Sequence, residues 1–274
     1  MNLGLQNKVA IVSGGSKGIG KATAMELAKE GALVVIVART TSTLGQTKAE
    51  IEKIAPSRVI AVKADMTNRK DVCAVIRETH RVFGTVDIAI SNIIGHVIDP
   101  EEEGPHAGNF EETEPVDFFT EYRRLVLSAW YLANEASNDM KQNRWGRIIN
   151  IGSRTAKEPV RELPHILPNV ARPAVVGLHR VLADKLAPFQ ITVNSVLTGN
   201  ILTERNQAYF SWLAKREGST LEDILENRYQ TVPLKRPGDP IEEAALIAYL
   251  CSEKASLITG QAIPVDGGVG RSLI

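Results

Sequence analysis

The sequence predicts an α/β fold, a single doubly wound sheet of about seven parallel strands with helices on both faces. Three observations predict it. Short β-branched runs alternate with longer segments of helical period, as βα units require. Runs such as Leu33-Val34-Val35-Ile36-Val37 are apolar on both faces, which suits strands covered by helices from either side. With 274 residues the chain is long enough to bury a large core without help from disulfides or metals.

The elements follow in order. Strand Val9–Ser13 runs into a glycine turn, and helix Ile19–Glu30 comes after it. Strand Leu33–Ala38 is followed by helix Leu44–Ile54, strand Val59–Lys63 by helix Arg69–Phe83. After strand Ile88–Ser91 comes His96–Pro115, a 20-residue insert rich in Glu, Gly and Pro and longer than most βα loops. Asp117–Gln142 reads as one long helix, leading to strand Arg147–Gly152, helix Ala171–Leu186 and strand Thr192–Val196. A second excursion, Asn200–Gly238, carries short helices around Arg205–Arg216 and Leu221–Tyr229. Helix Ile241–Cys251 and strand Ala262–Val265 complete the pattern. There is no repeat, low-complexity tract or linker, so residues 1–274 are read as one domain.

Both excursions follow strands and should project from the carboxyl edge of the sheet, where open α/β folds bind ligands. Asn200–Gly238 holds Tyr209, Phe210, Trp212 and Tyr229 and reads as a substrate lid. The acidic insert either borders the same mouth or is only a solvated loop.

Composition narrows the function. Lys+Arg and Asp+Glu are 32 each, a balance that argues against a nucleic-acid surface spread over the whole domain. Cys73 and Cys251 lack the close spacing of a zinc or redox pair, and no metal is expected. The longest apolar run, Ala244 to Cys251, is eight residues, well below the ~20 that span a bilayer. The N-terminus shows no signal peptide, and a cytoplasmic location is the expectation.

The first strand ends in Ser13-Gly14-Gly15-Ser16-Lys17-Gly18-Ile19-Gly20. A tight glycine turn between strand and helix lets backbone N–H groups approach a pyrophosphate, with the helix N-terminus adding positive potential. Gly15-x-x-x-x-Gly20-Lys21 also nearly matches a P-loop, but Ala22 stands where a Mg²⁺-binding hydroxyl is needed. The second strand ends in Ala38-Arg39-Thr40, without the acid that binds the ribose 2′-hydroxyl of NAD. Arg39, helped by Lys17, would pair instead with a 2′-phosphate, so NADP(H) is expected over NAD(H).

At this point the chain resembles the short-chain dehydrogenase/reductase family over essentially its whole length. Gly14-x-x-x-Gly18-Ile19-Gly20 is similar to the family's glycine motif. Ala64-Asp65-Met66 resembles the segment whose acid holds the adenine, and Ser91-Asn92-Ile93-Ile94-Gly95 the Asn-Asn-Ala-Gly stretch. Gly146 to Ser153 resembles the strand that ends in the catalytic serine. Val193 to Gly199 resembles the approach to the family's Pro-Gly turn, with Thr198 in place of proline. Gly260-Gln261 and Val265-Asp266-Gly267-Gly268 resemble the C-terminal signature. The resemblance implies a Rossmann-like domain. It places Gly14, Ser16, Lys17, Gly18, Ile19, Gly20, Arg39, Asp65, Met66, Asn92, Ile93, Gly199, Ile201 and Thr203 on the nucleotide. It also implies a homodimer or homotetramer, paired through the long central helix and the helix that contains Arg172.

The family's catalytic set is Asn, Ser, Tyr and Lys. Anchored on Ala174-Val175-Val176-Gly177, the lysine position holds Arg172 and the tyrosine position Pro168. The asparagine position falls on Leu125 or Arg124, and no tyrosine occurs between Tyr131 and Tyr209. Ser153 remains. Arg172 keeps a charge near the ribose but is no general acid at neutral pH, because its pKa lies above ~12. His165, one helical turn before Pro168, is the candidate proton donor; the alternative is a loop histidine without a role. Arg154, Arg161 and Arg172 either hold a carboxylate or oxyanion, or salt-bridge the acidic insert.

Three functions follow. The first is an NADP(H)-dependent oxidoreductase that passes hydride to a C=O, C=N or activated C=C bond of a small organic substrate. Ser153, Arg172 and His165 would be its catalytic residues; an iminium needs no proton at that step, and an enolate can wait for solvent. The second is a non-redox enzyme for cyclisation, isomerisation or elimination. The third is a nucleotide-sensing protein on the same scaffold.

Overall fold

The computed structural model describes residues 1–93, 110–159 and 166–272. Seven parallel strands form one sheet: β1 Val9–Ser13, β2 Leu33–Ala38, β3 Val59–Lys63, β4 Ile88–Ser91, β5 Gly146–Ser153, β6 Ile191–Thr198 and β7 Ala262–Val265. Their spatial order is β3-β2-β1-β4-β5-β6-β7, so the winding reverses between β1 and β4 and leaves a crevice at the carboxyl ends. Every residue of β1 and β4 is buried, as central strands require. The outer strands differ. β3 ends in exposed Lys63, and β7 places Pro264 on the edge, where its missing N–H costs no ladder bond.

The helices are α1 Gly18–Lys29, α2 Thr41–Ile54, α3 Arg69–Phe83, α4 Pro115–Tyr122, α5 Ser128–Asn143, α6 Ile166–Leu186, α7 Glu204–Glu217, α8 Leu221–Tyr229 and α9 Pro240–Cys251. On one face of the sheet Val12, Ile36, Ile90, Ile151 and Val196 meet Leu27 of α1 and Ile247 and Leu250 of α9. On the other, Val35, Val37, Ala89, Ile148 and Val193 meet Val72 and Val75 of α3, Leu132 of α5 and Ala183 of α6. Alternate side chains of each strand therefore feed two separate cores. Local sequence sets the ends. Asn68 caps α3 by accepting from the Lys70 N–H, and Gly84 closes it at φ 83°. Asp239 and Glu242 form a capping box on α9, with Pro240 in its first turn. No helix among the described residues is long and apolar enough to cross a membrane.

Two elements depart from the expectation. Asp117–Gln142 is not one helix, because α4 gives way to a π-helical segment, Arg123–Leu127, before α5 begins. The Ser128 hydroxyl turns back onto the Arg124 carbonyl, and a side chain inserted into the ladder in this way opens one wide turn. Helix α6 starts five residues earlier than Ala171, at Ile166. Pro168 there lies in the first turn, where its missing N–H would have had no partner.

Candidate active site and nucleotide cleft

The glycine turn sits at the reversal between β1 and β4 and leaves no room for side chains. Gly14 has φ +61° and Gly18 φ +53°, a region that glycine enters freely. A Cβ on Gly20 would lie 2.2 Å from the Gly14 carbonyl and 2.4 Å from Asn92 Nδ2. Asn92 joins the two strands: its N–H donates to Ser13 Oγ at 2.9 Å and its Nδ2 to the Gly14 carbonyl at 3.2 Å. From α2, Thr47 Oγ1 donates to the Ser16 carbonyl at 2.9 Å, fixing the turn from outside. Lys21 is held by Glu50 at 2.7 Å, so the lysine of the P-loop-like match is already paired.

The start of α1 suits an anion. Its N-cap, Lys17, supplies no side-chain acceptor, and no acidic residue lies in the first turn. The leading N–H groups and the positive end of the helix therefore stay available for a phosphate. Lys17 and Arg39 are exposed beside this opening. This donor set fits a dinucleotide pyrophosphate, and the two cations fit an added 2′-phosphate.

Asp65, beyond β3, accepts from the Thr67 N–H at 3.0 Å and from Thr67 Oγ1 at 2.8 Å. Partial burial pushes its carboxyl up, but the two Thr67 bonds and the charges of Arg39 and Arg124 outweigh that, and it ends below the usual range. Met66 is buried, and Ile93 packs against the same core from the crevice side. On the far lip Gly199 donates its N–H to Val265, and Ile201 bridges Gly238. Thr203 caps α7 and lies so near the turn that a Cβ on Gly18 would come within 3.2 Å of its methyl. The structure thus brings the residues after β6 against those after β1.

Ser153 and Thr198 end β5 and β6 as register partners. Around Ser153 the structure assembles groups that the sequence did not single out. Thr155 donates to Ser153 Oγ twice, from Oγ1 at 3.3 Å and from its N–H at 3.4 Å. Arg172 Nη1 in turn donates to Thr155 Oγ1 at 2.8 Å. Burial pulls the Arg172 guanidinium below its usual value, while the carboxylate of Glu121 on α4 opposes that shift. Glu121 is buried and lies 3.6 Å from Arg124. Pro168 is buried, and Leu125 packs in an apolar cluster with Ala171 and Val175. His165 and Arg161 lie outside the described residues, as does the insert over 94–109.

Under Thr198 sits Glu243, a fully buried carboxyl that accepts from Thr198 Oγ1 at 2.7 Å and whose Oε2 has no partner among the described residues. The sequence disguises it as a second acid in the first turn of α9. Burial lifts its pKa to about 7 from 4.5, the Thr198 bond only partly opposing. A carboxyl raised in the folded state stabilises fully below pH 4.5, and that contribution is lost as pH rises through about 7. The loss amounts to about 3 kcal/mol, at 1.36 kcal/mol per pH unit. In urea unfolding, wild type should lose stability relative to Glu243→Gln by that order between about pH 5 and about pH 8. Buried His179, pulled down to about 4 from 6.5, gains stability over the same range in both proteins and drops out of the difference. Equal pH slopes for the two proteins would refute it.

In the 200–238 excursion, Tyr209 stacks on Trp212 with centroids 5.9 Å apart. Phe210 and Tyr229 are buried, and Arg228 lies 5.1 Å over the Phe210 ring. These aromatics hold α7 and α8 together as a hairpin. Among the described residues no three His, Cys, Asp or Glu side chains gather as metal ligands.

A family model described as enoyl-(acyl carrier protein) reductase matches residues 14–270. The NADPH-dependent reductase BacG of Bacillus subtilis is 31% identical over 270 residues, 98% of this chain and 100% of that protein. Versicolorin reductase 1 of Aspergillus parasiticus is 31% identical over 269 residues, 97% and 98% of the two chains. Among solved structures, L-sorbose reductase from Gluconobacter frateurii, complexed with NADPH and L-sorbose, superposes with a TM-score of 0.91. It is 30% identical, and the match covers 100% of both chains.

Proposed function

The chain belongs to the short-chain dehydrogenase/reductase family, and on that premise we propose that it is an NADP(H)-dependent reductase of a small organic substrate. The observation that carries this reading is the uncapped start of α1 beside exposed Lys17 and Arg39 and against Thr203, on the same carboxyl edge of the sheet as Ser153. It puts an anion site and a polar reaction centre on one crevice. A relative described as an NADPH-dependent reductase and a reductase solved in complex with NADPH support the choice of nucleotide.

In this reading the turn Gly14–Gly20 and the first turn of α1 bind the pyrophosphate. Arg39 and Lys17 hold the 2′-phosphate, Asp65 with Met66 and Ile93 border the adenine, and Asn92, Gly199, Ile201 and Thr203 line the nicotinamide half. The reduced dinucleotide, when bound, supplies a hydride. Ser153 donates a hydrogen bond to the substrate heteroatom, and Arg172 adds positive charge near the ribose. The active site is non-standard, with Pro168 and Arg172 where the family places tyrosine and lysine. His165 or solvent delivers any proton that the product needs. The 200–238 hairpin acts as a lid over the carboxyl edge.

Exposed Val116, Phe119 and Tyr122 on α4 and Val170 and Val181 on α6 form an apolar surface suited to a second copy of the chain. Light scattering should return a multiple of the chain mass, and a monomer would dismiss that surface as an interface.

The test is a fluorescence titration with NADPH and NADH, followed by a panel of ketones, enones and cyclic iminium ions. NADPH should bind more tightly than NADH by about tenfold or more, from the charge-assisted contacts to its extra phosphate. One substrate class should then oxidise it. Equal affinity for both nucleotides would remove the role of Arg39, and binding without oxidation would favour the non-redox or sensing functions.

A further inference from the structure

We infer that Thr155 is a positioning residue that carries the charge of Arg172 to Ser153 and locks the Ser153 hydroxyl as a donor toward the substrate. The inference rests on the reductase reading and adds to it a residue and a selectivity.

Arg172 has only donors, and its Nη1 reaches Thr155 Oγ1 at 2.8 Å. Thr155 accepts from Arg172, and its own hydroxyl donates to Ser153 Oγ at 3.3 Å. The Thr155 N–H reaches the same oxygen at 3.4 Å. A serine oxygen has two acceptor positions and one proton. Both acceptor positions are filled from Thr155, so the single proton points away, over the carboxyl end of β5. Each donation runs in the same direction, and aligned bonds polarise one another. Thr155 is buried, which keeps water from competing for either bond. The buried carboxylate of Glu121 favours the charged form of Arg172.

A donor-only serine with a guanidinium behind it discriminates between electrophiles. The oxygen of a ketone or enone accepts a hydrogen bond and gains negative charge as it is reduced. An iminium ion brings a positive charge and no lone pair on nitrogen, so it meets a like charge and a donor it cannot use. Thr155 thus selects acceptor electrophiles and rejects cationic C=N.

Thr155→Val removes the hydroxyl at nearly constant volume, and Thr155→Ser keeps it. With NADPH and the ketone panel, Thr155→Val should lose about tenfold or more in kcat, a fraction of what loss of a whole oxyanion donor costs. Its KM and its NADPH dissociation constant should stay within about twofold, and Thr155→Ser should recover most of the rate. The wild type should prefer ketones to matched cyclic iminium ions, and Thr155→Val should narrow that preference. Wild-type kcat in Thr155→Val, a Thr155→Ser as slow as the valine variant, or a preference for iminium ions would overturn the inference. If the wild type oxidises NADPH with neither class, the reductase reading falls, and the relay is read in the free protein. There amide exchange at Thr155 should quicken about tenfold in Ser153→Ala, since its acceptor is gone. Unchanged exchange would overturn the relay by itself.

Discussion

Gly20→Ala is expected to cripple nucleotide binding. The added Cβ would stand 2.2 Å from the Gly14 carbonyl and 2.4 Å from Asn92 Nδ2, far inside contact distance. One neighbour is backbone, and the other is the side chain that joins β1 to β4, so neither yields cheaply. Overpacking of this kind costs about 1–3 kcal/mol of stability. The turn must open to relieve it, which spoils the row of N–H groups at the start of α1. Nucleotide affinity should fall more than about a hundredfold, on the order of two charge-assisted bonds lost. Fluorescence titration beside a melting curve separates the two effects. A folded Gly20→Ala protein with wild-type affinity would mean that this turn does not hold the nucleotide.

Ser153→Ala is expected to lower kcat by about 10²–10³, as removal of an oxyanion donor generally does. Ser153 carries this weight in the proposed site, where Pro168, which has no proton to give, is aligned with the family's tyrosine. The nucleotide dissociation constant should not change, since Ser153 stands across the crevice from the glycine turn. Arg172→Lys should fall between alanine and wild type: the charge stays, but the guanidinium's reach to Thr155 Oγ1 is lost. A Ser153→Ala enzyme with undiminished kcat would move the chemistry elsewhere, His165 being the next residue to test.

Much of the scaffold could be read before any coordinates, and the reason is physical. Strands buried on both faces must be apolar throughout, so β1, β2 and β4 coincide with the β-branched runs residue for residue, and the half-buried edge strands β3 and β7 match as closely. Helix α3 was equally plain, bounded by Asn68 and Gly84. The break between α4 and α5 was not, because it depends on where the Ser128 hydroxyl turns within an otherwise regular helical pattern. The start of α6 was hidden by prolines, which signal a boundary in one turn and tolerate a helix in another.

The site divides in the same way. Residues whose task is set by backbone geometry, such as Gly14, Gly18 and Gly20, announce themselves by spacing. Thr155, Glu121 and Glu243 do not. A threonine two places after a serine, or an acid near a helix start, gains significance only when other elements bring it a partner. Arg172 finds Thr155 across 17 positions of chain, and Thr198 finds Glu243 across 45.

The strand order has a consequence for synthesis on the ribosome. β2 docks on β1, β3 on β2, β4 on β1, then β5, β6 and β7 each on the strand made just before it. Every strand therefore emerges to find its partner already waiting, and the sheet widens outward as the chain lengthens. The helical layer does not share this convenience. Helix α1, among the first segments to leave the tunnel, packs on α9, almost the last. For most of translation the apolar flank of α1 therefore lacks its cover, and exposed apolar surface of that kind is what draws a nascent chain into aggregation until α9, within the last 35 residues, appears.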